Sequence, residues 1–155
     1  AMLLAASLKI GARLGGASVE DADRLYDFGM HIGVAFQLKD DLLDVYGNAK
    51  VFGKNIGGDI LCNKKTYMLI KALEHANADQ HNQLNSWINA ETFQPAEKIA
   101  AVTELYDRIG VKAVCENKIL EYSNWAMESL AAVSIAEEKK EELKKIIENL
   151  IHREV

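Results

Sequence analysis

The sequence holds a single proline, Pro95, two cysteines, and no apolar run near the length of a membrane span. With proline so scarce, little interrupts a helical pattern, and the ordinary mix of 49% hydrophobic and 26% charged residues excludes a disordered or collagen-like chain. The longest apolar stretches fall well short of the about 20 residues that span a bilayer, so no transmembrane segment is expected. Residues 3–10 have no basic segment before them, and Lys9 and Arg13 break the apolar pattern, so no secretory signal is expected. A basic excess is also missing: the net charge is −5, which argues against a general nucleic-acid binder. Cys62 and Cys115 stand alone without metal or redox spacing, as expected of buried thiols in a reducing cytoplasm. The histidines likewise lack metal spacing: His31 is expected in the core or an interface, and His75, His81 and His152 at the surface.

What is present is helical period, nearly throughout. The chain's 155 residues suit one domain, or a large piece of one, burying roughly 70% of the unfolded surface. Residues 3–10 with Ala5, Ala6 and Ala12 predict a first helix that ends at Gly15-Gly16. Ser18, with Asp21 three residues on, offers a helix start, and from Val19 the pattern runs to Tyr46 as a central, buried helix. Residues 47–63 carry four glycines and no clear period, and read as a loop with room for a helical turn. Further helices are predicted over 64–75, 79–90, 97–109 after Pro95, 111–133 and 137–153. The last one alternates Glu137, Glu138, Glu141 and Glu142 with Lys139, Lys140, Lys144 and Lys145, and reads as a solvated face. Trp87, Trp125, Met30, Met68 and Met127 read as packing residues. No strand, repeat or linker is evident, and the fold class is all-α.

The chemistry lies in Phe36-Gln37-Leu38-Lys39-Asp40-Asp41-Leu42-Leu43-Asp44. On a helix, Asp40, Asp41 and Asp44 share one side, where like charges oppose each other and call for a cation. Carboxylate oxygens are hard ligands that suit Mg²⁺ held by one or two side chains, waters and phosphate. A solvated acidic face is the plain alternative. The same stripe followed backwards reaches Gln37, Gly33 and Gly29; interior glycines there mean either tight helix packing or a ligand cavity. Downstream, Gly53-Lys54-Asn55-Ile56-Gly57-Gly58-Asp59 precedes Asn63-Lys64-Lys65-Thr66, which opens a helix. Lysines on a glycine loop near a carboxylate helix are what a magnesium–diphosphate site needs, since ammonium groups neutralise phosphate charge. A P-loop does not fit: five residues separate Gly47 from Gly53, Asn55 stands where Ser or Thr belongs, and no strand precedes it.

Together, Phe36-Gln37-x-x-Asp40-Asp41-x-x-Asp44, Gly53-Lys54-x-x-Gly57-x-Asp59 and Lys64-x-Thr66 resemble the second aspartate-rich motif and lysine loop of the trans-type isoprenyl diphosphate synthases. The resemblance covers residues 1–155 and implies the C-terminal helices of the isoprenoid synthase helical bundle, as part of a single polyprenyl synthetase domain. It implies a Mg²⁺-dependent prenyltransferase that joins an allylic diphosphate to isopentenyl diphosphate, head to tail, within a homodimer. By motif position, Asp40 would be the direct metal ligand, with Asp41 and Asp44 acting through water or from outside. Lys54 and Lys64 would contact the allylic diphosphate, and Asp59 would order a metal water or hold the loop. Gln37 would hydrogen-bond in the cavity and Phe36 line it; core packing for Phe36 and a helix–helix hydrogen bond for Gln37 remain open.

The family's first aspartate-rich motif, its following arginines, and the lysine-threonine pair before the alanine-rich helix do not occur in these residues. Because the pattern is already helical at Ala1-Met2, the chain is expected to be the C-terminal half of such an enzyme, incompetent alone. Two other readings stand beside this one. A non-catalytic helical partner subunit would keep the motif without using it, although Lys54, Asp59 and Lys64 are all retained. A terpene cyclase would need an Asn/Ser/Glu metal triad, which is not seen after the glycine loop.

Overall fold

The computed structural model describes residues 1–47 and 56–151, and every regular element among them is helical. The elements are α1 (Met2–Leu14), α2 (Val19–Tyr46), α3 (Gly58–Leu61), α4 (Tyr67–His75), α5 (Ala78–Ile88), α6 (Pro95–Ile109), α7 (Val111–Ala131), a 3₁₀ turn (Glu137–Lys139) and α8 (Glu141–Ile151). Contacts divide the chain into two compact units. Among the described residues, one holds Ala1–Lys39 and those from Lys118 onward; the other holds Asp40–Asn117.

In the first unit, α2 begins where Ser18 caps it: the Ser18 hydroxyl oxygen accepts from the Asp21 N–H at 3.0 Å. Glu20 and Asp21 in the first turn add charge of the sign that the helix dipole favours. The two interior glycines answer the question their spacing raised. A Cβ on Gly29 would stand 2.6 Å from the Ala5 Cα, and one on Gly33 2.5 Å from the Ala1 Cα. They let α1 pack directly on α2, with Ala5 fully buried at the contact, and Gly33 also lines a cavity. Phe28, Ile32, Ile119, Leu130 and Ile147 supply most of the bulk of this core. His31 is a satisfied histidine: its Nδ1 lies 3.3 Å from the Ser129 hydroxyl, and its ring meets Trp125 and Tyr122. Two expectations fail here. Met127 is 39% exposed, not core, and Lys140 is not part of a solvated face. The Lys140 side chain is 2% exposed because its ammonium donates to the Ala131 carbonyl at 2.9 Å and to Glu137 at 2.8 Å. The expected 137–153 helix opens as a 3₁₀ turn, with α8 starting at Glu141, and residues 152–153 lie outside the described residues.

In the second unit, α6 packs against α3, α4 and α5. Local caps set the helix starts. The Thr66 hydroxyl accepts from the Leu69 N–H at 3.2 Å, so α4 opens three residues later than its expected start at 64. Asn77 and Gln80 cap α5 reciprocally, and Pro95 stands at the first turn of α6. The Tyr46 hydroxyl donates to Asp107 at 2.8 Å, tying the end of α2 to α6. Of the two cysteines, Cys115 is buried as expected, but Cys62 is exposed at the end of α3.

Candidate functional site

Asp40, Asp41 and Asp44 lie in the last two turns of α2, within the second unit. Asp41 is buried among Leu42, Leu43 and Val45, so its charge needs a partner, and Lys64 supplies one. The Lys64 ammonium stands 2.9 Å from Asp41 Oδ1 and 2.8 Å from Asp59 Oδ2, a single cation shared by two carboxylates. Those hydrogen bonds, first from Asp59 and then from Asp41, push the Lys64 pKa well above its ordinary value. The side chain is still 45% exposed, which leaves the ammonium open to solvent and to an anion.

Asp44 does a different job. Its Oδ2 accepts from the Asp59 N–H at 2.9 Å, and its own carbonyl accepts from the Gly57 N–H at 2.6 Å. The start of α3 is thus seated on the end of α2. Gly57 has φ 84, and a Cβ there would stand 2.7 Å from the Ile99 side chain, so this turn admits glycine on both grounds. Burial pushes the Asp44 pKa up, the Asp59 amide opposes that shift, and the nearby Asp59 charge adds to it.

Asp59 therefore sits in the first turn of α3 with its backbone on Asp44 and its carboxylate on Lys64. The Lys64 N–H closes the circuit on the Asp59 carbonyl at 2.9 Å. Four of the residues singled out by motif, Asp41, Asp44, Asp59 and Lys64, form one hydrogen-bonded cluster. Asp40 lies on the same helix in the same unit, half-buried. Lys54 and Gly53 fall outside the described residues. Phe36 and Gln37 lie in the first unit, where both are exposed, Phe36 by 46%; Phe36 is therefore not a core residue. With Ile32, Ile146, Asn149 and Leu150 they line a cavity of about 510 Å³.

Among the described residues, no three His, Cys, Asp or Glu side chains converge as an all-protein metal cage. Magnesium does not require one, since it characteristically takes one or two carboxylates and completes its shell with water and phosphate. The donors here are hard oxygens of the right kind. Asp41 Oδ1 and Asp44 Oδ2 are already engaged in the fold. Motif spacing singles out neither Asn63 nor Lys98, yet both pack beside this cluster. The available signal was a lysine four residues before Val102 on the buried stripe of α6.

A family model described as polyprenyl synthetase matches residues 1–106. The short chain isoprenyl diphosphate synthase of Methanothermobacter thermautotrophicus is 33% identical over 154 residues, covering 99% of this chain and 46% of that protein. The (2E,6E)-farnesyl diphosphate synthase of Mycobacterium tuberculosis is 29% identical over 157 residues, covering 99% and 44%. Among solved structures, a geranylgeranyl pyrophosphate synthase superposes with a TM-score of 0.90 at 32% identity, over 99% of this chain and 48% of that one. The geranylgeranyl pyrophosphate synthase of Corynebacterium glutamicum, complexed with isoprenyl diphosphate and magnesium, gives 0.81 at 31% identity, over 92% and 40%. This chain spans about half the length of the curated relatives it matches.

Proposed function

Since this chain belongs to the polyprenyl synthetase family, we propose that it carries the second aspartate-rich half of a prenyltransferase site. The reaction is the head-to-tail joining of an allylic diphosphate to isopentenyl diphosphate. The observation that supports it best is the Lys64 ammonium, half-exposed and held between Asp41 and Asp59 at the end of an aspartate-rich helix. Mg²⁺, held by Asp40 with Asp41 and Asp44 behind it, would supply charge that favours departure of the diphosphate. Lys64, kept protonated by its two carboxylates, offers ammonium hydrogens to the same leaving group, and Lys54 has the matching role from the loop. Asp59 holds the start of α3 and Lys64 in register. Phe36 and Gln37 line the apolar cavity of the first unit, which suits an isoprenoid chain.

In this reading the protein is cytoplasmic, and the working enzyme is a homodimer that also presents a first aspartate-rich motif. Leu3, Ile10 and Leu14 stand exposed on α1, which supports an apolar surface covered in that assembly. Among the described residues, no helix is long and apolar enough to cross a membrane. The purified chain should transfer no prenyl group when given an allylic diphosphate, isopentenyl diphosphate and Mg²⁺. Fusing the N-terminal half of the Methanothermobacter relative ahead of Ala1 should create turnover that Asp40→Ala abolishes. Turnover by the chain alone would overturn the half-site reading. A folded fusion with turnover indifferent to Asp40→Ala would overturn the role of the motif and favour a non-catalytic partner.

A further inference from the structure

Lys98 is the least expected side chain in the second unit: a lysine only 1% exposed, on the buried face of α6. Its ammonium donates to Asn63 Oδ1 at 2.7 Å and lies 3.5 Å from the Leu61 carbonyl, with the Phe93 ring face 4.3 Å away. These partners are two neutral oxygens and a ring, a poor return for removing a charge from water. Burial accordingly pushes the Lys98 pKa down.

Asn63 is the residue so held. It has φ 51, the left-handed geometry that asparagine tolerates better than most residues. An ammonium has no acceptor, so Asn63 must turn Oδ1 toward Lys98, which leaves its Nδ2 to donate to the Ile88 carbonyl at 2.9 Å. A single side chain thereby fastens the turn after α3 to the end of α5 and to α6. The next residue is Lys64. Its N–H is fixed on the Asp59 carbonyl at 2.9 Å, and its own carbonyl takes the Thr66 N–H at 2.7 Å. A long, half-exposed lysine keeps its ammonium on two carboxylates only if its Cα is held still, because its rotamer freedom opposes any fixed placement.

We infer that Lys98 is a positioning residue that acts through Asn63 to fix the backbone from which Lys64 reaches Asp41 and Asp59. The consequence for function rests on the reading of Lys64 as a diphosphate contact. The test compares Lys98→Met and Asn63→Gly with the parent chain; Asn63→Gly keeps the left-handed turn and removes only the side-chain ties. Side-chain ammonium NMR of ¹⁵N-lysine-labelled protein, with the Lys64 signal assigned through Lys64→Gln, reports ion pairing directly. Titration with Mg²⁺ and inorganic diphosphate reports binding, and thermal melting reports global stability.

In both variants the Lys64 signal should move to the position of a solvated lysine, and diphosphate affinity should fall about tenfold, the effect of loosening one charge-assisted hydrogen bond. A lowered Tm with the Lys64 signal unmoved would mean that Lys98 only packs, and would overturn the inference. If Lys64 moves in both variants but the parent binds no diphosphate, the positioning role stands and the functional reading of Lys64 fails. Should Lys98→Met not fold, Asn63→Gly carries the same decision.

Discussion

The two compact units use α2 for opposite ends. Over residues 19–39 its important positions are the smallest ones: Ala22, Gly29, Gly33 and Ala35 are buried, and the two glycines let another helix come to contact distance. Over residues 40–46 its important positions are charged, and Asp41 and Asp44 are held by Lys64 and by the Asp59 amide. The first arrangement is close packing of small residues, with the buried Asp21 held near its start by Arg24 and the Ser134 amide; the second gathers several carboxylates around one lysine, an arrangement that a stability optimum would avoid. The contrast locates the chemistry. Charge gathers at the end of the helix, around one shared lysine.

The largest effect expected from this contrast is kinetic, and it lies within the second unit. Burial, with the Asp41 charge behind it, pushes the Cys115 thiol from 9.0 up to about 12, whereas Cys62 is exposed beside Asp59. A thiol reagent at mild pH should label Cys62 promptly, and Cys115 about a thousandfold more slowly until the protein unfolds. Equal labelling of both in the native protein would mean that the second unit is not sealed beneath its acidic corner.

Next in size is Gly29→Val, which drives a side chain into the Ala5 backbone and should destabilise the chain by about 3 kcal/mol in urea unfolding. A variant as stable as the parent would remove the packing half of the comparison. Lys64→Met breaks the charged half and should do so with less loss of stability, about 1 kcal/mol, because the ammonium is 45% exposed and screened. Its effect on diphosphate affinity should be about tenfold and hence the more visible one.

The smallest effect concerns Glu137 in the first unit. Hydrogen bonds from Lys140, and then Lys144, lower its carboxyl from 4.5 to about 2. A depressed carboxyl pKa stabilises the fold above the unfolded value of 4.5, and that contribution is lost as the pH falls through about 2. The Tm advantage of the parent over Glu137→Gln should therefore be steady at neutral pH and shrink across that acidic window. It should be slight throughout, because the group is exposed.

Much of this was legible in the sequence because it is local. The run from Val19 to Tyr46, the Ser18 cap and the break at Gly110 follow from periodicity and backbone chemistry, and α2 has the bounds its pattern predicts. The spacing of Asp40, Asp41 and Asp44 also called for a cation, and Lys64 provides it from 20 or more positions away in sequence, as the lysine in the Asp41 pair shows. What could not be read depends on distant partners. Lys98 reads as one more charge on an amphipathic helix until Asn63 is found against it, 35 positions back. Lys140 reads as surface until its ammonium is found on the Ala131 carbonyl, nine positions back. The exposure of Cys62 follows from the shortness of α3, a four-residue helix inside what reads as loop. The choice for Gly29 and Gly33, packing or cavity, needed the position of α1.

The central claim is that Asp40 and its neighbours form a magnesium-dependent diphosphate site. Calorimetric titration of the 155-residue chain with inorganic diphosphate, with and without Mg²⁺, tests it most directly. The account predicts binding that requires Mg²⁺ and is lost in Asp40→Ala while the variant's melting temperature is retained. Binding that is indifferent to Mg²⁺, or unchanged in Asp40→Ala, would contradict it.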